Sequence, residues 1–462
     1  MLKKFLAVSL MVWLGAIFYV SAAHADLKVS EGAAFRLRQE IWDDVVSFDT
    51  INTATSAADR NFFRLRTSVW GRVDFDSSFG VYLKLTNEAK YYGTGPFRFK
   101  SPANRDGFDP DELIFDNLYA DAKDIFGLPL DLRIGRQDFL GPNMYGEGFL
   151  LLDGTPGDGS RSFYFNAAKA TLKLDKQNSV DFVYIDDPAT DTFLPSVHPA
   201  ITNRLFIDNK KLLDASREQG FMAYGRIKAV ENVTLEPYYI YKIENSFSTT
   251  PKLKLNTVGG RIVYAMDGGW NIGGEYAYQW GNYDDGTKRR GNGGYVFVGR
   301  KYDAVALKPE FDLRFVYLSG DKASTTGKNE TWDPLFSRNP SWSELLIYSL
   351  PNEQSKNGGP IPGYWTNMEI AKATIKLNFD PATNLALSYQ YIWAPERPAS
   401  TLSPAMFDGG KVRGHLPIAI LSHAFSKNVD GFLELEYFIP GSFYSSQADN
   451  ATFFRWQLQL KI

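Results

Sequence analysis

The chain has 462 residues, no cysteine, an aromatic content of 15% and a formal net charge of −3, from 50 basic and 53 acidic residues. That mild acidic balance excludes the basic footprint of a nucleic-acid binder. Without cysteine there are no disulfide staples and no thiol chemistry.

The N-terminus reads as a secretory signal. Lys3 and Lys4 precede an apolar run over 5–20, and Ser21-Ala22-Ala23-His24-Ala25 ends in the small-x-small pattern of a cleavage site. Residues 1–25 are expected to be removed, a membrane anchor being the alternative, and 26–462 form one domain. Loss of Lys3 and Lys4 takes the net charge to −5. No later apolar run approaches the ~20 residues a membrane helix requires. An exported, aromatic-rich chain of this kind is either a soluble β protein or an outer-membrane barrel.

Alternation of apolar and polar residues marks strands, because successive side chains on a pleated strand point to opposite faces. In chain order the segments are 34–42, 62–75, 81–90, 112–122, 130–138, 166–174, 179–186, 220–228 and 233–242. Then follow 256–265, 270–280, 294–303, 308–319, 368–379, 384–393, 414–425, 430–438 and 453–462. Alternation is poor in 112–122 and 414–425. The eighteen segments are joined by connections that alternate between short (76–80, 123–129, 175–178, 426–429) and long (43–61, 91–111, 139–165, 187–219, 320–367, 394–413). Sorting by length matches a barrel with tight periplasmic turns and long extracellular loops. The expected fold is therefore all-β: a single transmembrane antiparallel β-barrel of about eighteen strands, closed because an open edge in lipid leaves backbone groups unpaired.

The parity of the strands divides their side chains. In 62–75, Phe63, Leu65, Thr67, Val69, Val73 and Phe75 share one face, and Arg64, Arg66, Ser68, Trp70, Arg72 and Asp74 the other. A mid-membrane Arg facing lipid costs about 2–4 kcal/mol, so the charged face is expected to line the lumen. The candidate anion-binding residues are Arg36, Arg38, Arg64, Arg66, Arg72, Arg133, Arg136, Arg226, Arg261, Arg314, Lys372 and Arg455. Two readings compete: arginines paired with carboxylates to hold the wall, or arginines free for an anionic solute. The runs Arg36/Arg38 and Arg64/Arg66/Arg72 show too few neighbouring acids to match, which favours a solute. Arg136 follows Leu132 and Ile134 in parity toward lipid; either Gly135 hosts a bulge that returns it inward, or the strand ends there.

Several motifs resemble the alginate-export outer-membrane family. They are Arg64-Leu65-Arg66, Leu132-Arg133-Ile134-Gly135-Arg136-Gln137, the Gly-rich stretch 146–159 leading to Arg161, and Trp332-Asp333-Pro334-Leu335-Phe336. The resemblance implies an eighteen-stranded monomeric channel conducting a polyuronate, with Arg64, Arg66, Arg133 and Arg136 at its electropositive constriction. Two departures stand out. The terminal strand ends on Ile462 where an aromatic residue is usual, and turn 426–429 is too short to plug the pore. Gating then falls to loops such as 91–111 or 139–165 folding inward.

Other chemistry finds little support. Ser422 and His423 are adjacent on a strand and point to opposite faces, so no catalytic set assembles and no enzyme is expected. Asp106, Asp109 and Asp111 form a carboxylate-rich loop that could take Ca²⁺ or simply meet solvent. No cofactor is implied, and no ATP-binding loop is present. The expected function is downhill passage of an anionic saccharide such as an alginate-like polyuronate. The alternatives are a porin importing small anionic nutrients and a non-conducting scaffold. Expected partners are the anionic saccharide or another small anion, outer-membrane lipids and periplasmic export proteins, with no nucleic acid.

Overall fold

The computed structural model describes residues 27–45, 48, 59–92, 107–141, 144–147, 159–161, 164–197, 216–247, 249–336, 342–355, 365–398 and 407–462. Residues 1–25, expected to be a signal segment, lie outside them. Eighteen strands form the wall. The first nine are β1 (Lys28–Asp43), β2 (Arg60–Asp74), β3 (Phe79–Tyr92), β4 (Gly107–Ala122), β5 (Leu130–Asp138), β6 (Tyr164–Lys173), β7 (Ser179–Asp187), β8 (Glu218–Arg226) and β9 (Val233–Glu244). The remainder are β10 (Leu253–Met266), β11 (Trp270–Tyr283), β12 (Lys288–Lys301), β13 (Glu310–Leu318), β14 (Met368–Asn378), β15 (Thr383–Trp393), β16 (Val412–Ala424), β17 (Val429–Pro440) and β18 (Ala451–Lys461).

Each strand pairs antiparallel with the next, and β18 returns to β1 from Ala34↔Lys461 to Asp43↔Thr452. The sheet therefore has no free edge. Every segment expected from alternation is a wall strand.

The faces divide as parity requires. Leu65 and Val69 on β2, Val258 and Ile262 on β10, Leu313 and Phe315 on β13, and Leu433 and Leu435 on β17 are exposed on the outside. A water-soluble protein would bury such rows; lipid covers them here. Phe75, Phe79, Tyr264 and Trp270 are exposed at the rim of the short turns, and Tyr91 and Phe108 at the other. These are the aromatic girdles of the two interfaces.

Strict alternation of loop length fails once. Between β11 and β12 only Asp284, Asp285, Gly286 and Thr287 intervene, where 281–293 reads as a long loop. Glycines at 281, 291, 293 and 294 made that stretch look irregular, but they lie within paired strands. At Gly293 a Cβ would come within 2.7 Å of the Trp332 indole, so this glycine is a pit for a ring from an inward loop. The 106–112 stretch also differs. Asp109 and Asp111 belong to β4 rather than a loop, Asp111 accepts a hydrogen bond from the Ser160 amide at 3.1 Å, and Asp106 lies outside the described residues.

Three long connections enter the barrel, those between β5 and β6, between β7 and β8, whose Asp191 is buried against Arg136, and between β13 and β14. Residues 144–147 of the β5–β6 connection lie against the inner wall, where Tyr145 donates to Asp181 at 2.9 Å. Trp332, Leu335 and Phe336 of the β13–β14 connection are fully buried. That connection continues into helix α1 (Glu344–Ser355), inside the barrel against β17 and β18. Its start is built in two layers. Ser343 is the N-cap, its Oγ accepting from the Leu346 amide at 3.1 Å. Wall residue Glu436 then accepts from the amides of Glu344 and Leu345 at 2.8 and 3.0 Å, giving partners to two donors that the helix itself leaves open.

Val258→Arg, on the outer face midway along β10, is expected to lower stability by about 2–4 kcal/mol. Val258→Leu should stay within about 0.5 kcal/mol. Denaturant titration of vesicle-refolded protein measures both.

Candidate functional site

The inner wall carries the charges that parity assigned to it, and nearly all are paired. On β1 and β2, Arg36 lies 2.7 Å from Glu88, Arg38 lies 3.3 Å from Glu40, and Arg64 bridges Glu40 and Glu88 at 3.2 and 3.0 Å. Arg66 meets Asp116 at 3.4 Å, and Arg72 meets Asp74 and Asp121, each at 2.8 Å. Arg133 shares Asp121 at 2.6 Å. Each of these six arginines therefore has a carboxylate partner, although they outnumber the five acids and hold them by sharing Glu40, Glu88 and Asp121.

Two signals were missed. Glu88 shares the face of Lys84 on β3 and was legible by the same parity. Asp116 and Asp121 lie on β4, where register shifts between Lys84/Leu85 and Asn87/Ala89 in the pairing with β3 break the alternation. A bulge of this kind swaps the faces on either side of it.

Further round the wall, inward loops and neighbouring strands supply the partners. Arg136 is buried, 2.7 Å from Asp191 of the β7–β8 connection, with its guanidinium 4.2 Å from the Tyr164 ring. Gly135 makes this possible at φ 130°, an L-residue-unfriendly value, and no register shift accompanies it. Arg161 pairs with both Glu112 and Asp191. Arg226 meets Asp181 at 2.5 Å, and Arg261 meets Glu236 at 2.7 Å. Arg314 pairs with Glu147 of the β5–β6 connection. Arg455 meets Glu434 at 2.5 Å and Glu344 of α1 at 3.0 Å.

Lys242, deeper still, sits between Glu218 at 2.7 Å and Glu244 at 3.2 Å and donates to the Leu335 carbonyl at 2.7 Å. Trp332-Asp333-Pro334-Leu335-Phe336 is thus anchored to the wall by a buried ammonium. Lys372, among the predicted residues, differs from the arginines. It sits beside Arg314 in register and forms no ion pair among the described residues. Lys169 on β6, opposite Arg133, is the same.

Asp191 is held below the ordinary carboxylate range. Burial alone would raise it, but hydrogen bonding and charge from Arg136, with the charge of Arg161, outweigh that. Elsewhere, Asp43, Asp44 and Asp59 gather with ligand atoms within 4.8 Å of one another.

Against this geometry the comparisons can be read. Residues 206–394 match the family model for alginate export. One of the four motifs falls in that stretch, and the protein is a bacterial outer-membrane β-barrel. Trp332–Phe336 lies inside the matched span; Arg64, Arg66, Arg133 and Arg136 lie before it. A search of curated proteins finds no match.

The fold is similar to OccK2 (OpdF) of Pseudomonas aeruginosa in complex with glucuronate, at 10% identity and a TM-score of 0.54 over 94% of this chain and 98% of that one. A BenF-like porin from Pseudomonas fluorescens Pf-5 gives 11% and 0.56 over 94% and 98%. OccAB1 of Acinetobacter baumannii gives 10% and 0.54 over 94% and 96%. At these identities the likeness is one of fold.

Glu88→Ala strands Arg36 and leaves Arg64 with Glu40 alone, and should cost about 3 kcal/mol, read as a shift in the denaturation midpoint. Lys173→Gln, at an exposed rim bridge, should change it by less than about 1 kcal/mol. For Asp191 the folded pKa is depressed, so its stabilisation is complete above the ordinary value of about 4 and is lost as pH falls through the folded value. Hydrogen exchange in residues 188–197 should therefore speed up below about pH 4 in the wild type. In Asp191→Asn it should be fast already at neutral pH.

Proposed function

We propose that this outer-membrane channel passes an anionic saccharide of the polyuronate type by downhill diffusion. The observation that carries the reading is the pair of lumen-facing ammoniums, Lys169 and Lys372, which form no direct ion pair among the described residues on a wall where the named arginines all do. A fixed positive charge lining a water-filled pore raises the local concentration of anions and repels cations. The alginate export match supports a saccharide as the solute. Glucuronate, held by the similarly folded OccK2, is itself a uronic acid. Arg64, Arg66, Arg133 and Arg136 act in this reading mainly as wall braces, with Arg36, Arg38, Arg72, Arg226, Arg261, Arg314 and Arg455.

One observation favours the second reading, a porin for small anionic nutrients. Helix α1 and the 332–336 segment occupy the lumen, leaving less width for a polymer than for a small acid.

Planar-bilayer recording tests both. The wild type is expected to prefer anions, and Lys372→Glu to move the reversal potential toward cation preference. Unchanged selectivity in that variant would refute the role of the lysine. Block of the current by a polyuronate added to one chamber supports the polymer. A wild type that ignores the polyuronate but carries small uronates supports the nutrient porin.

A further inference from the structure

Near the short-turn rim, the inner wall carries a row of planar groups that the charge pairing does not explain. Trp70 on β2 stacks on Tyr82 of β3 with ring centroids 6.1 Å apart and planes 26° apart. Tyr82 stacks on Tyr119 of β4 at 5.0 Å and 21°. The Arg133 guanidinium of β5 lies 4.2 Å from the centre of the Tyr119 ring. Register steps the row along the wall: Tyr82 faces Tyr119, Trp70 faces Lys84 two residues on from Tyr82, and Arg133, two residues from the Gly135 that faces Tyr119, faces Lys169 on β6. At the other end the indole lies over Gly32, where a Cβ would come within 2.5 Å of it.

The rings share the inward face with Lys84 and Arg72, both held in ion pairs to wall carboxylates. All three are half-buried, so their edges meet the lumen. The Tyr82 and Tyr119 hydroxyls form no hydrogen bond among the described residues and are not sealed from water. Beyond Arg133 the row opens into a cavity of about 290 Å³ bounded by Lys169, Thr171, Arg133, Asp181 and Arg226. Its acids are already engaged: Asp121 by Arg133, Asp131 by Lys173 and Asp181 by Arg226. The ammonium of Lys169 forms no ion pair of its own among the described residues; it lies 5.9 Å from the Phe139 ring and near Asp181.

Apolar ring edges carrying phenol hydroxyls suit a sugar, which shows C–H patches and hydroxyls together. An ammonium with no ion pair of its own beside Arg133 suits a carboxylate. From Tyr82 to Lys169 the row crosses three strand spacings, about 14 Å, a reach of linked sugar units rather than of one small acid. We propose that Trp70, Tyr82, Tyr119, Arg133 and Lys169 form a binding station for an acidic oligosaccharide at the periplasmic mouth. The phenols take its hydroxyls, and Lys169 takes a carboxylate. The station rests on the anionic-saccharide reading and narrows it to a linked polymer.

Calorimetric titration of the full chain in detergent tests this without needing an open pore. The probes are galacturonate, a short oligogalacturonate and a neutral maltooligosaccharide of equal length. The oligogalacturonate is expected to bind at least about tenfold more tightly than the monomer. The paired exchange Tyr82→Phe with Tyr119→Phe keeps the stack, and with it the fold, and should weaken both oligosaccharides about tenfold by removing two hydrogen bonds. Lys169→Gln should weaken the charged oligosaccharide alone.

Monomer binding as tight as oligomer binding overturns the station. So does affinity unmoved by either set of exchanges, or a wild type that titrates with none of the probes. Anion preference in the bilayer is scored separately, so a channel that selects anions yet shows no such titration loses the station and keeps the channel.

Discussion

A backbone amide in hydrocarbon has no water to turn to, and that fact governs everything else in this molecule. The first and last strands must meet, and they do: the Ala33 amide donates to the Ile462 carbonyl at 3.0 Å, and the Ile462 amide to Ala33 at 2.8 Å. Once the cylinder is closed, every side chain on a strand must face either lipid or the interior. Leucines, valines and phenylalanines take the first side and charged groups the second. Crowding so many charges onto one surface then requires that most be matched there. The carboxylates of β3, β4 and the inward loops do the matching.

The fold was almost wholly legible because its constraint is local and periodic. Eighteen alternating stretches appear as eighteen strands, and even the poorly alternating 112–122 and 414–425 belong to the wall. What could not be read is the destination of the loops. Nothing in the spacing of Trp332, Asp333 and Leu335 says that Lys242, some ninety residues earlier, will hold them. The same holds for Glu344–Ser355, whose helix start depends on Glu436. The β3–β4 bulges hid Asp116 and Asp121 for a related reason: one inserted residue inverts the face on which all that follows is read.

The candidate site was legible in kind but not in emphasis. Parity correctly gathered Arg36, Arg38, Arg64, Arg66 and Arg72 on the inner wall, yet counting acids on the same strands missed those on the neighbours. Arginine suits the bracing task because its planar fork can hold two carboxylates at once, as Arg64 and Arg72 do. Lysine is a compact charge on a flexible stem, better fitted to meet a passing partner. The inner surface uses both chemistries, and composition alone could not tell one task from the other.

Helix α1 touches Trp42 of β1, Arg64 of β2, Glu436 of β17 and Arg455 of β18. Those four strands straddle the seam where the cylinder shuts, so the helix lies across the join like a patch on the inside of a hose. Its landing ground comes into being only when the two ends of the chain have found each other, which places its seating among the last events of assembly. Loosening the patch would remove contacts that span the join beneath it.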